Sequence, residues 1–137
     1  MKARWAGGFI GEVELGGSTK LSFALPKDFG GVEGYPAPEE LLAASLLTCY
    51  SVALWRALSS RGLELREYYA EASLTAERSK EGRLVINKIS VQAKITPARG
   101  QDEALVRRVA EAVKEYCPIG LALKGNVEVN YELSVEA

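Results

Sequence analysis

The sequence predicts an α+β fold in which antiparallel sheets surround one buried central helix. Paired stretches of alternating apolar and polar residues flank turn signals, as in β-hairpins. A long segment from Pro38 changes to helical spacing and is apolar on most sides. The resulting order, ββ-α-ββ-α-β, lacks the regular alternation of a parallel βαβ fold. The length of 137 residues fits a single domain, 1–137.

The strands are predicted from alternation and turn signals. The first hairpin spans residues 9–25, "FIGEVELGGSTKLSFAL", and a loop rich in glycine and proline follows it. The second hairpin joins "LELREYYAEASLTAER" to "LVINKISVQAKITP" through "SKEG". Its second strand places five apolar residues on one face: Val85, Ile89, Val91, Ala93 and Ile95. "NVEVNYELSVEA" ends the chain as a strand.

Two helices are predicted from periodicity and from residues typical of helix ends. The first begins at Pro38, a residue suited to the first helical position, and ends near "SSRG" with Gly62 as its cap. The second, "DEALVRRVAEAVKEY", is amphipathic, with its inward face formed by Leu105, Val109, Val113 and Tyr116. The segment "CPIGLALKG" then restarts the helical pattern. Because the first helix is apolar on most sides, a second subunit is expected to cover part of it.

Composition excludes several classes of function. The chain has no histidine, so histidine bases, Cys-His pairs and His-containing metal sites are absent, and two cysteines cannot complete a tetrahedral zinc site. A net charge of −1 offers no basic surface for nucleic acid. No apolar run is expected to reach the roughly 20 residues that cross a bilayer, and the N-terminus lacks a signal core. We therefore expect a cytoplasmic protein whose chemistry rests on Cys, Asp, Glu, Lys, Arg or Tyr.

The residues alone leave the roles of the cysteines and of two glutamates open. Cys49, within the first helix, fits either a packing role or a reactive one. Cys117 precedes Pro118 at the start of a short helical turn, where free amides favour a thiolate. Glu39 and Glu40 suit the positive end of the helix dipole, whatever else they do.

Three stretches together resemble the OsmC/Ohr family of thiol-dependent peroxidases: "LPKDFGG", "PEELLAASLLTCYSVAL" and "YCPIGLALKGNVEVNYEL". The resemblance implies the OsmC-like fold and an intertwined homodimer with its sites at the subunit interface. It also implies a cytoplasmic enzyme of the stress response that reduces organic hydroperoxides to alcohols. No cofactor or metal is implied.

The resemblance also assigns roles to residues. Cys49 would be the peroxidatic cysteine, which attacks the hydroperoxide and becomes a sulfenic acid. Cys117 would be the resolving cysteine, and a dithiol reductant of lipoyl or thioredoxin type would reopen the resulting disulfide. Glu39, ten residues before Cys49, matches the glutamate that orients the family's site.

One family feature has no clear counterpart in this chain. The family places an arginine beside the thiolate, but "AGGFIGEV" has Phe9 where Ohr-type members carry it. The candidates for the missing cation are Arg4, Lys27 and Arg56. An alternative function is therefore a dimeric protein that binds a small hydrophobic ligand or senses redox state without peroxidase turnover. A purely structural interaction module is a third.

Overall fold

The computed structural model describes residues 1–137 as two compact units, Met1–Leu42 and Ala43–Ala137. The first unit is an antiparallel sheet of β1 (Lys2–Gly7), β2 (Ile10–Glu14) and β3 (Lys20–Ala24), in that order. The β2–β3 hairpin around Gly16–Ser18 is confirmed. Strand β1 is an addition to the predicted order. Because nearly all of its residues are exposed, it lacks the one-sided alternation from which a strand is recognised.

The central helix α1 (Pro38–Ser59) has both predicted ends. At its start, the carboxylate of Glu40 accepts a hydrogen bond from the backbone N–H of Ala37 at 3.2 Å, which satisfies one free amide of the first turn. At its end, Gly62 has a φ of 69° and the N–H of Leu63 bonds the carbonyl of Leu58 at 3.0 Å. This left-handed turn is a Schellman cap, and it explains why glycine follows the helix.

The second unit contains a sheet of β4 (Leu65–Arg78), β5 (Leu84–Pro97) and β6 (Glu128–Val135), in that order. β4 and β5 form the predicted antiparallel hairpin, but β6 runs parallel to β5. The expectation of purely antiparallel sheets is therefore wrong for this strand. Parallel neighbours need a long crossover, and residues 98–127 supply it with α2 (Glu103–Val113) and α3 (Pro118–Leu123).

The core of the second unit lies between the sheet, α1 and α2. It includes Tyr50, Leu54 and Leu58 from α1 together with apolar residues of β5 and α2. On β5, four of the five residues predicted to share a face are buried, whereas Val85, near the hairpin turn, is exposed. Tyr116 was expected to face inward but is 73% exposed, because α2 ends at Val113 and the chain turns before reaching it. The α+β class is confirmed.

Helix α1 also meets the length and composition of a membrane-spanning helix, with a mean hydropathy of 1.5 over 18 residues. The expectation that no apolar segment is long enough to cross a bilayer is therefore wrong for α1. The core helix of a soluble protein meets the same test, and a third of this window is buried inside the chain. Length and composition therefore do not distinguish a membrane-spanning helix from the core helix of a soluble protein.

Candidate functional site

The structure brings the two cysteines into contact. Cys49 lies on α1, and Cys117 is the residue that caps the start of α3. Their side chains share a hydrogen bond, and both are free thiols. The Cys117 sulfur also accepts the backbone N–H of Gly120 at 3.4 Å. Two residues separated by 67 others in the sequence therefore form one local site.

Local backbone geometry fixes the position of Cys117. Helix α2 ends at Val113, and after a short turn Cys117 adopts an extended conformation with a φ of −78° and a ψ of 113°. Pro118 then begins α3, where its missing N–H costs nothing. A cap residue directs its side chain toward the free amides of the first turn, which explains the bond from Gly120.

The two thiols differ in exposure. Cys117 is fully buried, whereas Cys49 is partly exposed. Burial raises the pKa of Cys117 and its hydrogen bond with Cys49 raises it further, while the N–H of Gly120 acts in the opposite direction. Cys49 is thus the accessible sulfur of the pair.

An open groove of about 1020 Å³ runs beside Cys49; we call it the thiol groove. Apolar side chains of α1, α2 and α3 form much of it, including Val52, Val109, Val113 and Ile119. The exposed Tyr116 also lines it. A groove with apolar walls and a partly exposed sulfur suits a small organic molecule better than a highly charged one.

Of the three predicted cations, Arg56 lies in the thiol groove. It follows Cys49 by seven residues on α1, so the two side chains lie on the same face, and it forms none of the ion pairs in the structure. Arg61 also lines the groove, where it donates to the carbonyl of Ala57 at 2.8 Å. Sequence reasoning missed Arg61 because it lies beyond the end of the helix.

The other two predicted cations lie in the first unit. Arg4 is opposite Glu12 in the register of β1 and β2 and is exposed. Lys27 forms an ion pair with Glu33 at 3.1 Å. Their assignment to the thiol site stays a prediction.

The structure separates the two glutamates of the first turn of α1. Glu40 is exposed and caps the helix through Ala37, as described above. Glu39 is half-buried and forms neither that capping bond nor an ion pair. A role for Glu39 at the thiol site stays a prediction. The hydrogen bond from Ala37 explains the role of Glu40 at the start of the helix.

Sequence reasoning missed Tyr131 on β6. Its ring packs on that of Tyr50 with centroids 5.1 Å apart, and its buried hydroxyl has no hydrogen-bond partner. The strand "VEVNYEL" contains a signal that could have found it: Val127, Val129 and Leu133 share a face with Tyr131, so the alternation places a polar hydroxyl on the core side of the strand. No group of three or more Cys, Asp or Glu side chains is arranged to hold a metal ion.

The fold and the thiol pair together define a class: an α+β protein with two contacting cysteines beside an apolar groove. A family model described as OsmC-like protein matches residues 30–132, and the chain therefore belongs to the OsmC-like family. The resemblance seen in the sequence is thereby confirmed.

Individual relatives agree with this membership. The chain is 29% identical to the uncharacterized protein YmaD of Bacillus subtilis over 99% of its own length and 93% of that protein. It is 30% identical to the organic hydroperoxide resistance protein OhrB of the same species, over 70% of this chain and 68% of that protein. A crystal structure of an organic hydroperoxide resistance protein OsmC from Legionella pneumophila matches with a TM-score of 0.77 and 26% identity, covering 98% and 96% of the two chains.

Proposed function

We propose that this protein is a two-cysteine peroxidase that reduces organic hydroperoxides at the expense of a dithiol. The observation that carries the proposal is the contact between a partly exposed Cys49 and a buried Cys117 beside an apolar groove. The names of two relatives, which refer to organic hydroperoxide resistance, indicate the substrate class.

The chemistry follows from the unequal thiols. The Cys49 thiolate attacks one oxygen of the hydroperoxide and breaks the O–O bond, which releases an alcohol and leaves a sulfenic acid on Cys49. Cys117 then attacks that sulfur and forms a disulfide, while its proton leaves with the hydroxyl group as water. A dithiol reductant of lipoyl or thioredoxin type restores both thiols by exchange. The cycle needs a reducing compartment, so we propose that it operates in the cytoplasm as part of a stress response.

Arg56 is the cation that we assign to this site. A thiol beside an apolar groove needs a nearby positive charge to favour the thiolate, since desolvation alone opposes ionisation. Arg56 lies on the same helical face as Cys49 in the thiol groove, and no carboxylate pairs with it.

We propose that the active form is a homodimer. Glu39 and Cys49 are ten residues apart on one helix, and a rise of 1.5 Å per residue separates them by about 15 Å along its axis. A carboxylate at that distance cannot orient the thiol site of its own subunit directly. The exposed apolar side chains of α1, including Val52 at 57% and Trp55 at 48%, offer a surface that a second subunit would cover.

Two cysteine variants test the proposal. Cys49→Ser should abolish the consumption of cumene hydroperoxide in the presence of dihydrolipoamide, because the attacking sulfur is gone. Without any reductant, Cys117→Ser should consume about one equivalent of hydroperoxide and then stop, with a sulfenic acid on Cys49 that dimedone traps and mass spectrometry detects. Failure of the wild-type protein to consume hydroperoxide with any dithiol would refute it.

The thiol groove also favours a second candidate, an OsmC-like dimer that binds a small hydrophobic ligand or senses redox state without turnover. Its volume and apolar walls are sufficient for such a ligand. This candidate predicts that an apolar compound co-purifies with the protein and that Cys49→Ser leaves its retention unchanged. The peroxidase proposal predicts instead that the ligand-free protein turns over hydroperoxide rapidly.

A further inference from the structure

The buried hydroxyl of Tyr131 lies close to Cys117. A Cβ placed on Gly120 would be 3.4 Å from the Tyr131 oxygen and 3.7 Å from Cβ of Cys117, so the hydroxyl and the Cys117 side chain flank the same point of α3. The hydroxyl has no hydrogen-bond partner, although a buried polar group without one costs stability. An unpaired hydroxyl donor close to the buried Cys117 therefore indicates a function other than stability.

The resolving step, in which Cys117 attacks the sulfenic acid of Cys49, requires a hydrogen-bond donor near the Cys117 sulfur. Cys117 must lose its proton to attack the sulfenic acid, yet burial raises its pKa more than the backbone N–H groups of Gly120, 3.4 Å away, and Ile119 lower it. A sulfur that becomes negatively charged in such a site needs hydrogen bonds aimed at it, and a bond to a charged acceptor is stronger than a bond to a neutral one.

We propose that Tyr131 is a further catalytic residue, whose hydroxyl donates a hydrogen bond to the Cys117 sulfur as that thiol ionises in the resolving step. This inference rests on the proposed peroxidase cycle. The sulfur of Cys117 forms the S–S bond with Cys49, the S–O bond of the sulfenic acid breaks, and the Cys117 proton leaves as part of water. Tyr131 keeps its own proton throughout.

The surroundings of Tyr131 keep its hydroxyl protonated and available. Burial, and then the charges of Cys117 and Cys49, raise the pKa of Tyr131 to about 12, so it acts as a donor and not as a base. The ammonium group of Lys114 lies 6.0 Å from the centre of its ring, where a positive charge favours donation by the hydroxyl. The titratable groups around it are Cys49 and Tyr50 on α1, and Lys114, Glu115 and Cys117 between α2 and α3.

Tyr131→Phe removes the hydroxyl and keeps the ring. After a pulse of cumene hydroperoxide, the sulfenic acid should form at the wild-type rate, but the disulfide should close about tenfold more slowly. The pH at which closure is half-maximal should rise by about one unit, because the Cys117 thiolate has lost a donor. Because the lost hydroxyl had no partner, the Tm of the reduced protein should not fall.

Tyr50→Phe is the matched control. It removes the other hydroxyl of the stacked pair, which donates to the carbonyl of Ala110 at 2.9 Å. This change should lower the Tm, because it removes a buried hydrogen bond, and should not alter the pH profile of disulfide closure. A merely structural role of Tyr131 would move the Tm and not the pH profile.

A second assay separates this inference from the proposed function. With Cys49 blocked as a mixed disulfide by Ellman's reagent, attack by Cys117 releases a coloured thiolate without any hydroperoxide. Slow release in Tyr131→Phe, with its pH profile displaced upward, supports the inference even if the peroxidase proposal fails. Release at the wild-type rate and pH would overturn it, whatever the peroxidase activity.

Discussion

At the scale of single residues, exposure distinguishes the two cysteines. Cys49 opens onto the thiol groove, whereas Cys117 is buried and shares a hydrogen bond with Cys49. The buried partner therefore keeps its proton while the accessible one meets the substrate. This asymmetry accords with the order of events in the proposed cycle.

Arg56→Ala tests the source of the cation. At neutral pH the alkylation of Cys49 by iodoacetamide should slow about threefold to tenfold, because losing a positive charge lowers the thiolate population. Arg56→Lys should retain much of the wild-type rate. Arg78→Ala is the control, since Arg78 is exposed near the β4–β5 turn and donates to Gly82. A wild-type rate in Arg56→Ala, with slowing in Arg4→Ala or Lys27→Ala, would move the cation to the first unit.

Sequence predicted the identity of the thiol pair more readily than its surroundings. The spacing from Glu39 to Cys49 and the "YCPIG" segment are local patterns, and they pointed to both cysteines through a family resemblance. Tyr131 comes close to Cys117 because β6 returns beside α3. No local sequence pattern encodes that return. The exposure of Tyr116 depends on where α2 ends, and helix ends are the least regular part of an amphipathic pattern.

At the scale of elements, α1 was predictable because its ends and its interior agree. Pro38 starts it, Gly62 in a left-handed conformation ends it, and apolar residues fill the turns between them. The direction of β6 was not predictable in the same way. Alternation along a strand reports which side chains face the core, but it is the same whether the neighbouring strand runs parallel or antiparallel.

Glu40→Ala and Glu39→Ala separate the two roles at the start of α1. Glu40→Ala should lower the free energy of unfolding by about 0.5–1 kcal/mol, because the Ala37 N–H loses its acceptor, and should leave peroxidase turnover unchanged. Glu39→Ala should do the reverse, lowering turnover with little loss of stability. Urea titrations and hydroperoxide assays measure the two effects. Equal effects of both substitutions on both quantities would contradict the division.

At the scale of the whole molecule, the central question is what covers α1. Its inner face packs in the core through Tyr50, Leu54 and Leu58, while Val52 and Trp55 remain exposed on other faces. Exposed apolar residues on one long helix are typical of an interface between subunits. The separation of Glu39 and Cys49 along α1 is a second, independent argument for the proposed homodimer.

Mixing two inactive variants tests whether the sites are shared between subunits. Cys49→Ser and Glu39→Gln should each be inactive or strongly impaired as homodimers. After the two are unfolded and refolded together, mixed dimers should restore about a quarter of wild-type turnover, because half of the dimers are mixed and each carries one complete site. The control mixes Cys49→Ser with the double variant Cys49→Ser/Glu39→Gln, which cannot form a complete site. No recovery in the test mixture would show that each subunit works alone.

The contact between Cys49 and Cys117 also bears on the choice of reductant. Because the fold holds the two sulfurs together, each thiol has a high effective concentration at the other. A monothiol that opened the proposed disulfide would be expelled by the neighbouring sulfur, whereas a dithiol closes its own ring and leaves. Closing a loop across 67 intervening residues would also stabilise the folded chain by about 4 kcal/mol. The oxidised subunit would then be the more stable form, so its reductant must work against part of the folding free energy.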